Sequence, residues 1–528
     1  MTLRLLRHLG AFLPVAGALL VTFPASATPS GAAPLTWSPC PIALVDNGHA
    51  IPVERLECAW TTTALDHDTA ADTGEITLGV IRLRAGDAQR REGAIFMNFG
   101  GPGASPYDYL PWLAESWVSA DRNDPIDGPK KELTERFDLV AVVPRGLIGG
   151  DVMECIHTGR RGMSLAESSD DNAWAQAIFE ADTQSRACDH PLYPYIDTMQ
   201  VVEDMEHVRR AMGEPVLNFY GVSYGTWVGS RYAAAHPGTA GRFLLDSSAA
   251  FHLSFQQVDE LTTLENERSF LRDAVSPALA SPDRYGLGED RDVLLARLRA
   301  MPSPWRSRLL PNVKNPVELV AAVALGEWRA AHPDAPLGDE IAWLDTADFG
   351  VLPTERQAVF EQAHALLPSV YRVSGRDASE YFGPDGIAVN RATTCNDTKW
   401  PDIDSWRSMV AWRSANLLTW NGDDVALGLL CARSWSMWSA PLKLEKMAQA
   451  PAFMMIHAEF DDATPLGGAS RAADTVPNAH LVVVRGMRSH GVLGESRSVC
   501  AERDGPRFLL TGELPTLKHS ECTYVPRT

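Results

Sequence analysis

The chain has 528 residues, of which 45% are hydrophobic and 22% are charged, and its formal net charge is −20. This length exceeds one typical domain and predicts a core with a large insertion or a second domain. The acidic balance argues against a nucleic acid or an anionic membrane as a partner. It is most simply explained by solubility in an exported protein, and it also suits a cationic ligand such as a peptide amino terminus.

Residues 1–27 have the pattern of a secretory signal peptide. Arg4 and Arg7 form a positive n-region, an apolar stretch follows, and an A-x-A cleavage site ends at Ala27. The apolar stretch is too short and too interrupted by proline to span a membrane. We therefore predict a secreted or periplasmic protein that is exported by the Sec route and has no integral membrane segment.

Eight cysteines in an exported chain predict disulfides. Sequence alone does not select a connectivity, and pairing each cysteine with its neighbour along the chain is our prediction. The predicted pairs are Cys40–Cys58, Cys155–Cys188, Cys395–Cys431 and Cys500–Cys522. Because none of the eight lies in a C-x-x-C or Cys/His cluster, we predict no metal and no other cofactor.

The part of the chain from 36 to 246 begins with two strand patterns and from 94 onward alternates strand and helix patterns. Period-two alternation or continuous apolar runs predict strands at 56–64, 75–84, 94–98, 137–143, 216–220 and 242–246, and helical periodicity predicts helices at 197–212 and 226–236. Such alternation is typical of a mostly parallel α/β sheet with right-handed crossovers. We take 36–246 as the first part of a sheet domain.

The sequence Gly221-Val222-Ser223-Tyr224-Gly225 lies between a predicted strand and a predicted helix. G-x-S-x-G in that context is the pattern of a nucleophile elbow. The turn strains the backbone of its serine and requires small flanking residues, which the two glycines supply. We predict that Ser223 is exposed at the carboxyl end of the sheet as a nucleophile.

From about 247 to 435 the pattern changes to helical spacing broken by Pro, Gly and Asp, which predicts a mostly helical cap inserted into the sheet domain. The α/β rhythm then resumes in 436–528, with strands at 452–458 and 480–485 and a helix at 467–475. We predict that the strand at 480–485 is the last one.

Two loops after late strands complete a Ser…Asp…His order. Asp461 follows the strand at 452–458, and His490 follows the strand at 480–485. We predict that His490 is the general base for Ser223 and that Asp461 orients the imidazole. The alternatives are Asp462 or Asp246 for the acid and, for the base, the histidines at 457, 480 and 519.

Backbone N–H groups near Ser223 are candidates for an oxyanion hole. One is that of Tyr224, directly after the nucleophile, and the other comes from the turn Gly100-Gly101 after the strand at 94–98, with Gly101 as our choice. Pro102 has no N–H and cannot donate.

Several motifs occur together in this order: N-F-G-G-P-G-A-S (98–105), P-R-G (144–146), D-M-E-H-V-R (204–209), N-F-Y-G-V-S-Y-G-T (218–226), T-T-C-N-D (393–397), D-D-A-T-P (461–465) and S-H-G (489–491). With them, the chain resembles the tripeptidyl-aminopeptidase branch of the prolyl-aminopeptidase-like serine peptidases, over nearly the whole mature chain. The resemblance implies an α/β-hydrolase fold, the triad Ser223, Asp461 and His490, and release of short peptides from a free amino terminus.

The chain departs from that family at two motifs. Val143 stands before P-R-G where the family usually has Asp, and Ser489 replaces the first glycine of G-H-G. The cap also matches poorly. Related members act on esters, so a carboxylesterase or lipase with the same triad is the alternative function. A non-catalytic binding protein is a third hypothesis, against which the intact triad argues.

An aminopeptidase must bind an ammonium group, for which carboxylates are the natural partners. Asp397, close to Cys395 in the predicted cap, is our candidate, and a helix cap or surface acid is the alternative for this residue. The predicted partner of the protein is thus a peptide substrate. The sequence does not predict an oligomeric state.

Overall fold

The structure is a computed structural model that describes residues 32–45, 53–69, 73–155, 164–371, 382–434, 438 and 441–527. The predicted signal peptide at 1–27 lies outside these residues. In the described part of the chain, no helix combines the length and the apolar character that crossing a membrane would require.

One sheet of ten strands forms the centre of the protein. Its strands are β1 (Ser38–Pro39), β2 (Leu56–Ala64), β3 (Glu75–Leu83), β4 (Gly93–Asn98), β5 (Phe137–Val142), β6 (Leu217–Val222), β7 (Ala240–Asp246), β8 (Phe453–Ala458), β9 (Ala479–Arg485) and β10 (His519–Thr523). Their spatial order is β1-β2-β3-β5-β4-β6-β7-β8-β9-β10. The pairs β1/β2, β2/β3 and β3/β5 are antiparallel, and all neighbours from β5 to β10 are parallel. The predicted α/β-hydrolase fold with a mostly parallel sheet is confirmed.

Helices on both faces of the sheet explain why its central strands read as continuous apolar runs. The helices that alternate with the strands are α1 (Ile42–Val45), α2 (Pro106–Ser119), α3 (Gly128–Arg136), α4 (Asp171–Ala187), α5 (Thr198–Ala211), α6 (Tyr224–Ala235), α19 (Leu466–Thr475) and α20 (Asp504–Thr511). All residues of β4, β5 and β8 are buried. Apolar side chains of α2, α3 and α20 pack in the cluster on one face, and those of α5, α6 and α19 pack in the cluster on the other.

Between β7 and β8 the described residues form helices and no strand. The elements are α7 (Phe255–Phe270), α8 (Ser276–Leu279), α9 (Pro282–Tyr285), α10 (Arg291–Ala300), α11 (Ser303–Leu309), α12 (Pro316–Ala331), α13 (Leu337–Leu344), α14 (Pro353–Tyr371), α15 (Pro384–Asp397), α16 (Ile403–Asn416), α17 (Asp423–Arg433) and α18 (Leu444–Met447). We call α7 to α17 the helical region. Trp174 of α4 packs in the same apolar cluster as Trp406 of α16, although the sequence analysis assigned α4 to the sheet domain.

The two short strands at the sheet edges, β1 and β10, were not predicted from the sequence. The prediction that the strand at 480–485 is the last one was wrong, because β10 follows it and pairs in parallel with β9. β10 alternates exposed and half-buried residues and has no apolar run, so periodicity gave no signal. All four predicted disulfide pairs are confirmed. Four disulfides are typical of proteins in an oxidising compartment.

Candidate active site

The turn between β6 and α6 has the geometry of a nucleophile elbow. Ser223 has φ 57° and ψ −122°, a backbone conformation that non-glycine residues rarely adopt. A Cβ atom at Gly221 would lie 2.5 Å from the Phe219 ring and 2.6 Å from the carbonyl oxygen of Gly225. At Gly225 it would lie 2.3 Å from the carbonyl oxygen of Asn98. The turn therefore requires glycine at both positions.

His490 and Asp461 form a hydrogen-bonded pair. Nδ1 of His490 lies 3.0 Å from both carboxylate oxygens of Asp461. Asp461 is buried, and its Oδ1 also accepts hydrogen bonds from the N–H groups of Ala463 and Thr464. The Thr464 hydroxyl oxygen lies 2.9 Å from Oδ2. Residues of its own loop thus fix the Asp461 carboxylate, and both of its oxygens remain in contact with the His490 imidazole.

Electrostatics within this pair favour an ionised acid and a basic imidazole. Burial would raise the pKa of Asp461, but the hydrogen bond and charge of His490 outweigh it and lower the pKa to about 2. Burial would lower the pKa of His490, but the hydrogen bond and charge of Asp461 outweigh that effect and raise it. With Nδ1 turned to Asp461, Nε2 is the ring nitrogen left for a substrate-side proton transfer.

Asp246, at the end of β7, connects the elbow to the loop of His490. Its carbonyl oxygen accepts the Ser223 N–H at 3.0 Å. Its carboxylate accepts the N–H groups of Val492 and Leu493 at 2.9 and 3.1 Å and the Tyr220 hydroxyl at 3.0 Å. Burial raises the pKa of Asp246 to about 6, against these hydrogen bonds. In the structure this residue acts as an anchor for the loop rather than as the partner of the imidazole.

Among the described residues, the Ser223 hydroxyl and Nε2 of His490 make no hydrogen bond with each other. The two residues lie on loops that share Asp246, and the His490 side chain is 34% exposed at this rim. Catalytic hydrogen bonds are often long in free enzymes and tighten with substrate. The Ser223–His490 contact therefore stays a prediction.

The alternative residues have other partners in the structure. Asp462 lies 3.2 Å from Lys314 Nζ and 3.6 Å from Arg488, with its side chain 33% exposed. His457 is fully buried: its Nδ1 accepts the Ser248 N–H, and its Nε2 lies 2.8 Å from the Thr464 carbonyl oxygen. His480 and His519 contact the Leu517 carbonyl and Asp474, respectively.

The glycine-rich turn after β4 lies directly against the elbow. A Cβ atom at Gly100 would lie 3.0 Å from Cβ of Ser223 and 3.4 Å from the Tyr224 nitrogen. The Gly100 N–H is used, since it donates to Oδ1 of Asn98 at 3.1 Å. Within the described chain, the N–H groups of Gly101 and Tyr224 have no acceptor. The Tyr224 N–H, directly after Ser223, and the Gly101 N–H, next to the contacting Gly100, therefore remain candidates for an oxyanion hole.

Asp397, the predicted amine-binding residue, lies under the elbow helix α6. It is 3% exposed, and its carboxylate accepts hydrogen bonds from the N–H and hydroxyl of Thr198 and from Nε1 of Trp227. The Thr198 hydroxyl lies 2.7 Å from the Tyr224 hydroxyl. Burial raises the pKa of Asp397 despite these donors and the nearby Arg231. The geometry is that of a structural acceptor, and amine binding by Asp397 stays a prediction without geometric support.

The helix α15 that carries Asp397 contacts the site at a second point. Nδ2 of Asn390 donates to the Pro102 carbonyl at 2.9 Å, and a Cβ atom at Gly103 would lie 2.3 Å from the Gly386 carbonyl. One buried helix of the helical region thus supports both the glycine-rich turn and the elbow helix. The T-T-C-N-D motif marked this helix in the sequence but did not reveal its contacts.

A cavity of about 870 Å³ lies between the helical region and α4. Its charged lining comprises Glu167, Glu180, Glu318, Asp423, Asp462, Arg308, Lys314 and Arg391. The residues of the predicted triad do not line it, and it approaches them through Asp462, the neighbour of Asp461. Its acidic groups outnumber its basic groups.

The chain is similar in sequence to several known proteins. A family model described as "TAP-like protein" matches residues 412–522, which include Asp461 and His490. The tripeptidyl aminopeptidase of Streptomyces lividans is 24% identical over 488 residues, which cover 87% of this chain and 82% of that protein. The serine protease Hip1 of Mycobacterium tuberculosis is 29% identical over 231 residues, 42% of this chain and 41% of that protein.

Among solved structures, that of esterase E22 matches with a TM-score of 0.35 and 13% identity and covers 86% of this chain and 100% of that one. The match to the Streptomyces lividans tripeptidyl aminopeptidase has a similar coverage of this chain, 87%, at the higher identity of 24%. The chain thus has the α/β-hydrolase fold and is similar over most of its length to tripeptidyl aminopeptidases, which supports a serine hydrolase.

Proposed function

We propose that the protein is an exported serine exopeptidase that hydrolyses short peptides, such as tripeptides, from free amino termini. The observation that carries this proposal is the His490–Asp461 pair on the rim of the sheet that also bears the strained Ser223 elbow. Export is supported by the signal-peptide pattern of 1–27 and by four disulfides.

In the proposed mechanism, Nε2 of His490 accepts the Ser223 hydroxyl proton as Oγ attacks the scissile carbonyl carbon. The N–H groups of Tyr224 and Gly101 stabilise the negative charge that develops on the carbonyl oxygen. His490 then delivers the proton to the leaving amine, and the peptide remains as an ester on Ser223. Water, deprotonated by the same imidazole, hydrolyses this acyl-enzyme.

Peptide specificity is supported by the names of the relatives and by the acidic excess of the cavity. Three extended residues span about 10 Å, so cleavage after a third residue places the ammonium group well away from Ser223. Glu180 lines the cavity and, in the described chain, is bonded to the neutral amide of Gln176 on its own helix rather than to a basic group. We therefore propose Glu180 as an acceptor for the substrate ammonium group.

The experiment compares tripeptide anilides that have a free or an acetylated amino group, with Ser223→Ala as the inactive control. The proposal expects turnover of the free substrate only, and loss of both turnover and fluorophosphonate labelling in the variant. Equal rates on the two substrates would contradict the aminopeptidase function. Turnover of short-chain esters far above that of any peptide would identify a carboxylesterase instead.

A further inference from the structure

The residue after Asp246 has an unusual backbone. Among the described residues, Ser223 and Ser247 are the non-glycine residues with positive φ, and Ser247 has φ 50°. Ser247 is fully buried at the end of β7, whereas Ser223 is half-buried. Strain of this kind persists only where the surroundings hold it in place, and it concentrates at functional sites.

Three groups of Ser247 bond to three different segments. Its N–H donates to the carbonyl of Ile456, a residue of β8, at 3.0 Å. Its carbonyl oxygen accepts the Thr464 hydroxyl at 2.9 Å, in the loop of Asp461. Its hydroxyl oxygen accepts the Gly491 N–H at 2.8 Å, directly after His490. One residue thus connects the strand, the acid loop and the base loop.

The side chain is the part of Ser247 that glycine would lack. Glycine adopts positive φ without strain, so the backbone conformation alone would favour it here. The hydroxyl contributes the bond to Gly491, which fixes the main chain next to the imidazole. Asp246 fixes the same loop one residue further on, through Val492.

We propose that Ser247 is a positioning residue that sets the distance between His490 and the Ser223 hydroxyl by holding the backbone of Gly491. This inference rests on the proposed serine-hydrolase mechanism. Small displacements of a catalytic group reduce turnover more than substrate binding, because alignment matters most in the transition state.

The test uses Ser247→Ala and Ser247→Gly, with Ser248→Ala as the matched control. Ser248 is also fully buried, but its hydroxyl donates to the Ala249 carbonyl and not to the base loop. For each variant, kcat and KM on an active tripeptide anilide, the melting temperature and the amount of protein labelled at completion by a fluorophosphonate are measured.

We expect kcat to fall about tenfold in both Ser247 variants with KM within about twofold of wild type, and Ser248→Ala to keep its kcat. Ser247→Gly should melt higher than Ser247→Ala, because it relieves the positive φ. Equal loss of kcat despite unequal stability separates positioning from folding. If Ser247→Ala does not fold, the kcat of Ser247→Gly alone tests the inference.

The inference would be overturned if kcat of the variants decreased in proportion to their melting temperature, or if kcat were unchanged in Ser247→Gly. In either case the proposed function would stand as long as the wild-type protein is active. A wild-type protein without serine-dependent activity, judged against Ser223→Ala, would overturn the proposed function and this inference with it.

Discussion

The rim of the sheet and the cavity of the helical region use polar residues in opposite ways. At the rim, Asp246 and Asp461 are buried, and fixed donors occupy both carboxylates. In the cavity, Lys314 and Asp462 pair with each other while about a third of each side chain stays exposed, at 30% and 33%. The hydrogen bonds at the rim hold its side chains in one arrangement, and catalysis requires such a fixed arrangement. The partly exposed pair in the cavity is weak, so either of its members can bind a charged group of a substrate instead.

The largest test of this comparison uses two adjacent acids. We expect Asp461→Asn to lower kcat by about 10³- to 10⁴-fold, because the imidazole loses the group that orients it. Asp462→Asn, which removes an exposed pair, should keep kcat within about threefold. Steady-state kinetics on one tripeptide anilide measures both. Similar losses in the two variants would show that the rim is not the fixed region that its hydrogen bonds indicate.

The pH profile sharpens the description of the rim. Because only neutral His490 accepts a proton, kcat/KM should rise with pH through the pKa of the free enzyme's imidazole. Asp461 and, more weakly, Asp246 raise that pKa against the effect of burial, so the midpoint should lie above the ordinary value of about 6.5. In Asp461→Asn the midpoint should move to lower pH. An unchanged midpoint would mean that the pair is not formed in solution.

A substitution at Asp397 tests whether buried, fully hydrogen-bonded carboxylates like those at the rim also stabilise the helical region. Removal of its charge leaves Thr198 and Trp227 short of a strong acceptor, so Asp397→Asn should destabilise the fold by about 2–3 kcal/mol. The control is Asp404→Asn, an exposed acid on α16. Denaturant or thermal unfolding measures the difference. Unchanged stability together with a higher KM for free-amine substrates alone would restore the amine-binding role predicted from the sequence.

The smallest expected effect lies in the cavity. Glu180→Gln should raise KM about three- to fivefold for a free-amine tripeptide and leave an acetylated competitor's inhibition constant unchanged. The matched control is Glu361→Gln, because Glu361 has the same i,i+4 glutamine partner but is exposed and does not line the cavity. Equal effects of the two substitutions would exclude Glu180 as the ammonium acceptor.

The sequence indicated the residues of the rim but not the buried residues that hold them in place. The elbow, Asp461 and His490 each follow a strand as a short motif, and local patterns locate such residues. The contacts of Ser247 and Asp397 join residues 244 and 170 positions apart, at Gly491 and Trp227, and no local pattern encodes such partners. Similarly, α4 has the periodicity of any amphipathic helix, which does not reveal whether sheet or helical region covers its apolar face.

The two outermost strands have a further consequence for how copies of the protein meet. β1 has two residues, one of them Pro39, which lacks an N–H. β10 is short and half-exposed, Glu521 on it pairs with Arg485, and the disulfide to Cys500 ties down its Cys522. Edge strands that are short, carry charged or proline residues and are cross-linked pair poorly with a strand of another molecule. The edges of this sheet are therefore protected against edge-to-edge aggregation.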